Sequence, residues 1–339
     1  MRDFWHNRSC LVTGGAGFGG SHLCERLLQK GARVHVLDRL LPDTSYLRLQ
    51  QLDTEVNFLF GDIRDTEFVR LILSRFQIDT VFHLAAQPIV PMSNVLPMET
   101  LAINAMGTYS VLDAIRTGQV ERTVFASSGA YYGATTADHP ISEDHPPLDA
   151  LNIYAPSKVA GDAAARAYAR IYGLKIGICR FMNTYGPGDT NFTRIIPRAA
   201  HNLLEGRPYD FGDRDDGSSR VDFLYIGDMA EAYIRTAEHL DRYAGEPFNF
   251  GSGQAVSTAE VAALASRMFD GRTREGTFSG PVRKLPSVKY LDIRKAGHCL
   301  HWQPSTSLAE GLEQTMRWYR SNWGKLGKSR HPCHSAVSA

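Results

Sequence analysis

A tyrosine and a lysine four residues apart, Tyr154 and Lys158, are the side chains of this sequence best suited to acid–base chemistry. On a helix, residues at this spacing lie on one face, about one turn apart. An ammonium group beside a phenol favours the phenolate and draws the phenol pKa from about 10 towards neutrality. We therefore predict that Tyr154 is a general base for a hydroxyl group and that Lys158 lowers its pKa. Taken alone, the pair is more typical of a solvated helix face.

A glycine-rich turn near the amino terminus gives this pair a chemical context. An apolar segment, Ser9–Thr13, runs into TGGAGFGG and then into a helical pattern over residues 17–30. Gly14, Gly17 and Gly20 would allow a tight turn, close approach of a pyrophosphate, and contact between helix and strand. The pyrophosphate would bind the unpaired N–H groups at the start of the helix, where the helix dipole favours anions.

An acidic residue at the end of the next apolar segment favours one dinucleotide. Asp38 follows the turn by about twenty residues, where a carboxylate accepts both hydrogen bonds of an adenosine ribose and repels a 2′-phosphate. NAD is therefore favoured over NADP, a preference that the neighbouring Arg39 would weaken. Asp62 and Ile63, in the segment GDIRD, are predicted to border the adenine. Capping the following helix is an equally good interpretation of Asp62.

Strand and helix patterns alternate along the part of the chain that must position these residues. Five apolar segments of strand length lie at 9–13, 33–37, 56–60, 80–84 and 123–127. Repeated strand–helix–strand units predict a doubly wound α/β fold, with a parallel sheet, helices on both faces, and ligands at the carboxyl ends of the strands. Two long helical patterns, 94–116 and 151–172, precede the fifth and sixth strands.

The pattern changes near residue 180, which predicts two domains. Residues 1–179 are predicted to form a dinucleotide-binding Rossmann domain. Residues 180–325, with shorter elements and more Gly and Pro, are predicted to form a smaller α/β substrate-binding domain, from which some segments return to the first. Residues 326–339 would be a poorly ordered tail.

The composition excludes several classes of function. The 37 Lys and Arg residues nearly balance the 36 Asp and Glu residues, so there is no basic surface for nucleic acid or for a membrane. With no signal-peptide pattern and no apolar stretch of about 18 residues, we expect a cytoplasmic protein. We expect no metal site and reduced thiols, because no metal or redox spacing relates the five cysteines, Cys10, Cys24, Cys179, Cys299 and Cys333.

Six motifs, in order, resemble those of the extended short-chain dehydrogenases, the NAD-dependent nucleotide-sugar epimerase and dehydratase family. They are TGGAGFGG, GDIRD, HLAAQ (83–87), ASSGAYYG (126–133), YAPSK (154–158) and RFMNTYGPGD (180–189). The resemblance implies NAD as cofactor and a nucleoside-diphosphate sugar as substrate. It also implies a homodimer through the helices near 94–116 and 151–172, the second of which is rich in small residues.

The resemblance also implies roles for single residues. Ser128 would bridge the reacting hydroxyl and Tyr154, while Lys158 would also hold the nicotinamide ribose. We interpret Ser127 as a possible strand cap and His83 as a buried structural histidine. Further cofactor-binding residues would be Phe18 in the turn and the loop residues Leu84, Ala85 and Ala86. The predicted substrate-binding residues are Gln87, Ser128, Gly129, Asn183, Asn191, Arg194, Arg220 and Arg283.

The two positions after Ser128 separate the reactions of this family. Dehydratases carry an acid and a second titrating group there, and decarboxylases use a glutamate at the second position. This sequence has Gly129 and Ala130, neither of which moves a proton. In this respect the sequence resembles the 4-epimerases, which have small residues at both positions. Such residues would leave room for a keto sugar to turn over in the site. We therefore predict a 4-epimerase that recycles its NAD.

Other activities stay open at this stage. A reductase of a nucleoside-diphosphate 4-keto sugar would use the same Ser128, Tyr154 and Lys158 but release its cofactor. Residues 187–198 resemble the CDP-glucose 4,6-dehydratase branch of the family, which makes that dehydratase an alternative. Two further alternatives are a UDP-glucuronate decarboxylase and a non-catalytic NAD-binding module. The family arginine for the diphosphate directly precedes an aspartate, whereas here Val221 separates Arg220 from that aspartate, so the direction of its side chain is open.

Overall fold

A computed structural model of the chain describes residues 4–118, 120–133, 138–147, 150–282 and 287–327. The strands are β1 (Ser9–Thr13), β2 (Arg33–Asp38), β3 (Asn57–Phe60), β4 (Thr80–His83), β5 (Arg122–Ala126), β6 (Ile176–Phe181), β7 (Asn183–Tyr185), β8 (Arg220–Val221), β9 (Phe223–Tyr225), β10 (Pro247–Phe250), β11 (Val256–Ser257) and β12 (Val288–Lys289). The helices are α1 (Phe18–Gln29), α2 (Tyr46–Leu49), α3 (Thr66–Arg75), α4 (Val90–Val95), α5 (Pro97–Leu101), α6 (Gly107–Thr117), α7 (Tyr154–Tyr172), α8 (Ile195–Leu204), α9 (Ile226–Glu238), α10 (Leu240–Tyr243), α11 (Thr258–Asp270), α12 (Arg294–Leu300) and α13 (Leu308–Asn322). Shorter turns of 3₁₀-helix span Leu52–Thr54, Gly129–Tyr132 and Trp323–Lys325, and a turn of π-helix spans Ala102–Met106.

A seven-stranded sheet has the order β10-β6-β5-β4-β1-β2-β3, and all its pairings are parallel. The central strands are buried along their whole length, as expected where helices cover both faces. The prediction of a doubly wound α/β fold is confirmed. Because the strand order reverses between β1 and β4, a crevice for a ligand opens at their carboxyl ends.

A second hydrophobic core lies outside the large sheet. It is formed by α8, α11 and α13 together with the small sheets β11-β8-β12 and β7-β9. Residues 247–250 (β10) lie beyond residue 180 in the chain but pair with β6 in the large sheet. The separate core supports our proposal of a smaller substrate-binding domain from about residue 180, with segments that return to the first domain.

The long helix predicted over 94–116 is divided in the structure. Leu96 is not helical (φ −121°, ψ 65°), because it precedes Pro97, whose ring disfavours a helical backbone before it. The π turn Ala102–Met106 then separates α5 from α6 and directs Asn104, which is 2% exposed, into the protein. Within the described residues, no helix combines the length and apolar character needed to cross a membrane.

The described cysteines are free thiols. Cys10, Cys24 and Cys179 are fully buried, while Cys299 is partly exposed. Burial raises the pKa of all three buried thiols, which disfavours their reactive thiolate form. The three buried side chains belong to the hydrophobic core around the large sheet, and Cys333 lies outside the described residues.

Candidate active site

The glycine-rich turn after β1 lies against the loop that follows β4. Gly14 has a left-handed backbone (φ +73°), and a Cβ added there would lie 2.7 Å from the backbone N and Cα of Ala85. A Cβ at Gly20 would lie 2.1 Å from the carbonyl oxygen of Gly14, so α1 packs directly on the turn. Helix α1 starts after Gly17 without a side-chain cap and without an acidic residue in its first turn. Its first N–H groups and its dipole can therefore bind an anion, which fits the pyrophosphate of a dinucleotide.

Replacing Gly14 by alanine should remove the dinucleotide site, because the new methyl group would collide with the backbone of Ala85. We expect the purified variant to carry no dinucleotide, measured as nucleotide released on denaturation. Gly271→Ala is a matched control, since Gly271 has a similar backbone (φ +81°) but no atom lies within 4 Å of an added Cβ. Equal dinucleotide content in the two variants would contradict the packing argument.

Asp38, at the end of β2, lies beside this turn. Its carboxylate accepts hydrogen bonds from the N–H groups of Ala16 (3.1 Å) and Arg39 (2.8 Å). Burial raises the pKa of Asp38, and these two N–H groups oppose the rise. A carboxylate beside the turn is compatible with binding of the adenosine ribose hydroxyls, and this role of Asp38 stays a prediction. Phe18, the first residue of α1, is partly buried against the core of the large sheet.

Asp62, one of the two residues predicted to border the adenine, belongs to a charged cluster. The Arg39 guanidinium, 56% exposed, lies 3.8 Å from a carboxylate oxygen of Asp62 and 3.8 Å from one of Glu99. Asp62 also pairs with Arg64 at 2.7 Å, and the hydrogen bond from Arg64 lowers the pKa of Asp62. Arg39 is thus held by carboxylates, which limits its use for a 2′-phosphate.

The cap of the following helix is a different aspartate from the one proposed. The Asp65 carboxylate accepts the N–H of Phe68 (3.0 Å) at the start of α3, so the interpretation of Asp62 as that cap is wrong. Ile63 is 5% exposed and its side chain belongs to the core under α3 and α6. Any contact of Ile63 with an adenine would therefore use its backbone.

The loop that borders the crevice is held by hydrogen bonds. It consists of Leu84, Ala85, Ala86 and Gln87, all partly buried. The Thr13 hydroxyl accepts the N–H of Ala85 (3.2 Å). The Gln87 amide donates to the Thr100 hydroxyl (3.0 Å) and accepts the N–H of Ile89 (2.5 Å), so this side chain stabilises the loop instead of pointing to a ligand.

Asn104, in the π turn, links this loop to the helix that carries Tyr154. Its Oδ1 accepts the N–H of Gln87 (2.7 Å), and its Nδ2 donates to the Gln87 carbonyl (3.1 Å) and to the Ser157 hydroxyl (2.9 Å). The Ser157 hydroxyl in turn donates to the Tyr154 carbonyl (2.7 Å). The sequence analysis missed Asn104, because an unbroken helix would not have directed it to both elements.

His83 is a buried structural residue, in agreement with its interpretation from sequence. Its ring nitrogens lie 2.7 Å from the Thr13 hydroxyl and 3.0 Å from the Thr108 hydroxyl, and it is 2% exposed. Burial, assisted by the positive charge of Lys158, lowers the pKa of His83 to about 3. The imidazole is therefore neutral at physiological pH and connects β1, β4 and α6.

Tyr154 and Ser128 are brought together at the crevice. Tyr154 is the first residue of α7, and its side chain is hydrogen-bonded to that of Ser128. The Tyr154 N–H donates to the Ser93 hydroxyl of α4 (3.1 Å), which positions the start of the helix. The Ser128 hydroxyl oxygen also accepts the N–H of Ala130 (3.1 Å). A substrate hydroxyl bound here would contact both side chains.

Lys158 lies one turn further along α7 and is 5% exposed. Its Nζ donates a hydrogen bond to the carbonyl of Ala126 (2.6 Å), the last residue of β5. Burial lowers the pKa of Lys158 to about 8, and the negative charge of Asp162 opposes this change. Lys158 therefore stays protonated at neutral pH.

The pKa of Tyr154 is raised in this structure. Burial of the phenol is the largest cause, while the hydrogen bond with Ser128 and the positive charge of Arg194 act in the opposite direction. The prediction that Lys158 lowers this pKa is therefore wrong: its ammonium is directed to Ala126. Among the described cations, the one that favours the phenolate is Arg194, just before α8.

A buried ion pair that the sequence analysis missed lies behind Lys158. Asp162 and Arg180 are both 0% exposed and are joined by two hydrogen bonds of 2.9 Å. The Ser127 hydroxyl donates to Asp162 (2.6 Å), so its interpretation as a strand cap is wrong. Arg180 also donates to the Tyr132 hydroxyl (2.9 Å) in the turn after β5. The sequence feature that could have indicated this pair is the spacing of Asp162, which lies one further turn along the helix from Lys158.

Two predicted substrate-binding amides differ in accessibility. Asn183, in β7, is exposed, and its Nδ2 donates a long hydrogen bond (3.3 Å) to the Asp222 carbonyl. The Asn191 side chain closes a turn, since its Oδ1 accepts the Thr193 hydroxyl (2.7 Å) and N–H (3.2 Å). Asn183 is therefore the better placed of the two to contact a ligand.

The predicted cations of the substrate site are paired with carboxylates where the structure describes them. Arg194 lies 3.0 Å from Asp189, and Arg220 lies 2.8 Å from Asp138. A diphosphate would have to compete with these partners for either guanidinium. Arg283 lies outside the described residues.

Gly129 does not provide the open space that we expected from its size. A Cβ added there would lie 2.4 Å from the Met182 sulfur and 3.0 Å from the Phe181 carbonyl oxygen. The small residue is instead needed for the turn after β5 to pack against the chain that follows β6. Whatever the packing around it, Gly129 has no side chain that could transfer a proton.

Comparison with known proteins agrees with this geometry. Residues 10–251 match the NAD dependent epimerase/dehydratase family. UDP-glucose 4-epimerase of Mycolicibacterium smegmatis is 34% identical over 323 residues (92% of this chain, 98% of the relative), and dTDP-D-glucose 4,6-dehydratase of Homo sapiens is 29% identical over 334 residues (95% and 93%). The structure of UDP-glucose 4-epimerase from Brucella ovis in complex with NAD is similar, with a TM-score of 0.80, 26% identity and coverage of 91% of this chain and 98% of that one. The chain belongs to the NAD-dependent epimerase/dehydratase family and uses NAD as its cofactor.

Proposed function

We propose that this enzyme is a nucleotide-sugar 4-epimerase that acts through a transient 4-keto sugar. The observation that carries the proposal is the pair of positions after Ser128, where Gly129 and Ala130 offer no group that could protonate a leaving hydroxyl. Elimination of water needs such an acid, whereas epimerisation needs only one base at the reacting hydroxyl. In this proposal the base is Tyr154, and its hydrogen bond with Ser128 supports the assignment.

The chain's own residues carry the proton in the proposed reaction. NAD, which would be held by the glycine-rich turn and Asp38, would supply the hydride acceptor and donor for C4 of the sugar. The phenolate oxygen of Tyr154 takes the proton of the C4 hydroxyl, while Ser128, hydrogen-bonded to Tyr154, holds the hydroxyl oxygen. After the keto sugar has turned over, Tyr154 gives the proton back. Because burial raises the pKa of Tyr154, the charge of Arg194 is what favours the phenolate among the described cations.

A panel of UDP, CDP, GDP and TDP hexoses tests this function. We expect NMR to show inversion at C4 of at least one sugar without added reductant, and NAD to stay bound during purification. A product with the 4-keto-6-deoxy pattern would show a dehydratase instead. Consumption of NADH or NADPH with release of the oxidised cofactor would show a reductase. No turnover of any sugar in the presence of bound NAD would exclude the proposal.

We also propose a homodimer through the helices near 94–116 and 151–172. Large apolar side chains are exposed in the first of these regions: Val95 is 51%, Met98 74% and Met106 58% exposed. Replacing Met98 and Met106 by lysine should give a monomer, measured by sedimentation. Leu71→Lys, on α3 and 57% exposed, is the control and should leave the dimer intact. A wild-type protein that sediments as a monomer would exclude this assembly.

A further inference from the structure

Lys289 lies at the far end of the turn that begins with Ser128. It is on β12, which pairs in parallel with β8, and its Cα is opposite that of Val221. Its Nζ donates a hydrogen bond (2.5 Å) to the carbonyl of Gly133, the residue that ends the 3₁₀ turn Gly129–Tyr132. Five residue steps separate Ser128 from Gly133, and a 3₁₀ turn of that length spans about 10 Å, so the ammonium and the Ser128 hydroxyl lie at opposite ends of the same turn.

The charge of this lysine is not balanced by the described protein. Burial alone lowers the pKa of Lys289 to about 8, with no described carboxylate acting on it. The neighbouring cations do have such partners: Arg180, Arg194 and Arg220 each lie within 3.0 Å of an aspartate oxygen. The undescribed segments on either side, ATTA (134–137) and RKLP (283–286), contain no acidic residue.

An uncompensated ammonium in a partly buried position costs free energy unless a ligand neutralises it. Lys289 is protonated at neutral pH and has three N–H donors, of which one binds Gly133. The other two are available to an oxyanion. A strongly perturbed charge beside a reaction centre is more typical of a binding site than of a structural residue.

The position of Lys289 decides which oxyanion it meets. The turn from Ser128 to Gly133 borders the sugar, since Ser128 contacts the hydroxyl that reacts. On the basis of the function proposed above, we propose that Lys289 binds a carboxylate on the sugar, so that the preferred substrates are nucleoside-diphosphate uronic acids. Val221, the Cα partner of Lys289, carries no charge that would compete for this group.

A pair of substrates that differ only in the carboxylate tests this inference. UDP-glucuronate and UDP-glucose, or the same sugars on the base that the panel selects, are compared in the wild-type enzyme, Lys289→Met and Lys325→Met. We expect the wild type to prefer the uronate. Lys289→Met should lose about 10- to 100-fold in kcat/KM for the uronate, the value of a charge-assisted hydrogen bond, and change less than about threefold for the neutral sugar. Lys325, exposed near the end of α13, is the control for the loss of one positive charge.

Each other result has a definite meaning. An equal loss of kcat/KM for both substrates would place Lys289 at the diphosphate. No loss for either substrate would show that Lys289 does not contact the substrate. Both results overturn the inference about the carboxylate and leave the proposed 4-epimerase activity unaffected. If no sugar is turned over, the proposed function fails. In that case UDP-glucuronate should still raise the Tm of the wild type and should not raise that of Lys289→Met.

A folding measurement accompanies the kinetics. Removing an uncompensated charge from a partly buried position should not destabilise the protein, so Lys289→Met should retain its NAD and unfold at the same or a higher temperature. If Lys289→Met does not fold, Lys289→Gln, which keeps a hydrogen-bond donor without the charge, serves in the same comparison and should show the same selective loss.

Discussion

Replacing Tyr154 by phenylalanine should abolish turnover while leaving NAD bound. The phenol oxygen is the atom that takes and returns the proton, and general acid–base groups contribute about 10²- to 10⁴-fold. The ring itself is retained, and the hydrogen bond from the Tyr154 N–H to Ser93 is formed by the backbone, so the start of α7 should keep its position. Epimerisation measured by NMR together with the NAD content of the purified variant separates the two effects.

Tyr168→Phe is the matched control for this variant. Tyr168 lies on the same helix, four turns from Tyr154 and partly exposed, so loss of its hydroxyl should leave activity within about threefold of the wild type. Activity of Tyr154→Phe at a similar level would show that another group moves the proton. Loss of NAD from the variant would show that Tyr154 acts through the cofactor site.

Replacing Arg180 by methionine should be strongly destabilising. Asp162 is 0% exposed, and without Arg180 the Ser127 hydroxyl is the side-chain hydrogen-bond donor that remains to it within the described residues. Leaving one member of a buried ion pair unpaired costs about 3–5 kcal/mol, which corresponds to a fall in Tm of roughly 4–7 °C for a chain of this size. Thermal unfolding of the holoenzyme measures the effect.

The same substitution on the surface is the control. Arg317 pairs with Glu313 at 2.7 Å, but both side chains are mostly exposed, at 70% and 55%. Exposed ion pairs contribute about 0–1 kcal/mol, so Arg317→Met should change the Tm only slightly. Similar changes in the two variants would show that burial of the pair between Asp162 and Arg180 has no special energetic weight.

The double variant Asp162→Leu with Arg180→Met separates stability from catalysis. Apolar side chains of similar volume should restore most of the stability that the single variant loses. Lys158 then lacks the carboxylate that raises its pKa, so its proton should be lost at a lower pH than in the wild type. Since the predicted role of Lys158 is to hold the nicotinamide ribose, we expect the affinity for NAD, measured as a function of pH, to fall at a lower pH than in the wild type. An unchanged pH profile would mean that Asp162 has a structural role alone.

The sequence by itself determined the fold and the cofactor. Strand and helix periodicity, the glycines at Gly14, Gly17 and Gly20, and the position of Asp38 are local features that depend on residues close in the chain. The seven-stranded parallel sheet and the family match confirm the fold and NAD. Tyr154 and Ser128 were also predictable as neighbours, because both stand at motif positions near the carboxyl end of the sheet.

Only the tertiary structure decided the electrostatics of the site. The pKa of Tyr154 depends on how deeply the phenol is buried and on Arg194, a residue from the other side of the crevice. The partners of Arg220 and Lys289 likewise come from distant segments. Desolvation and charge pairing are set by whichever groups the fold brings within a few ångströms, and the spacing of residues along the chain does not contain that information.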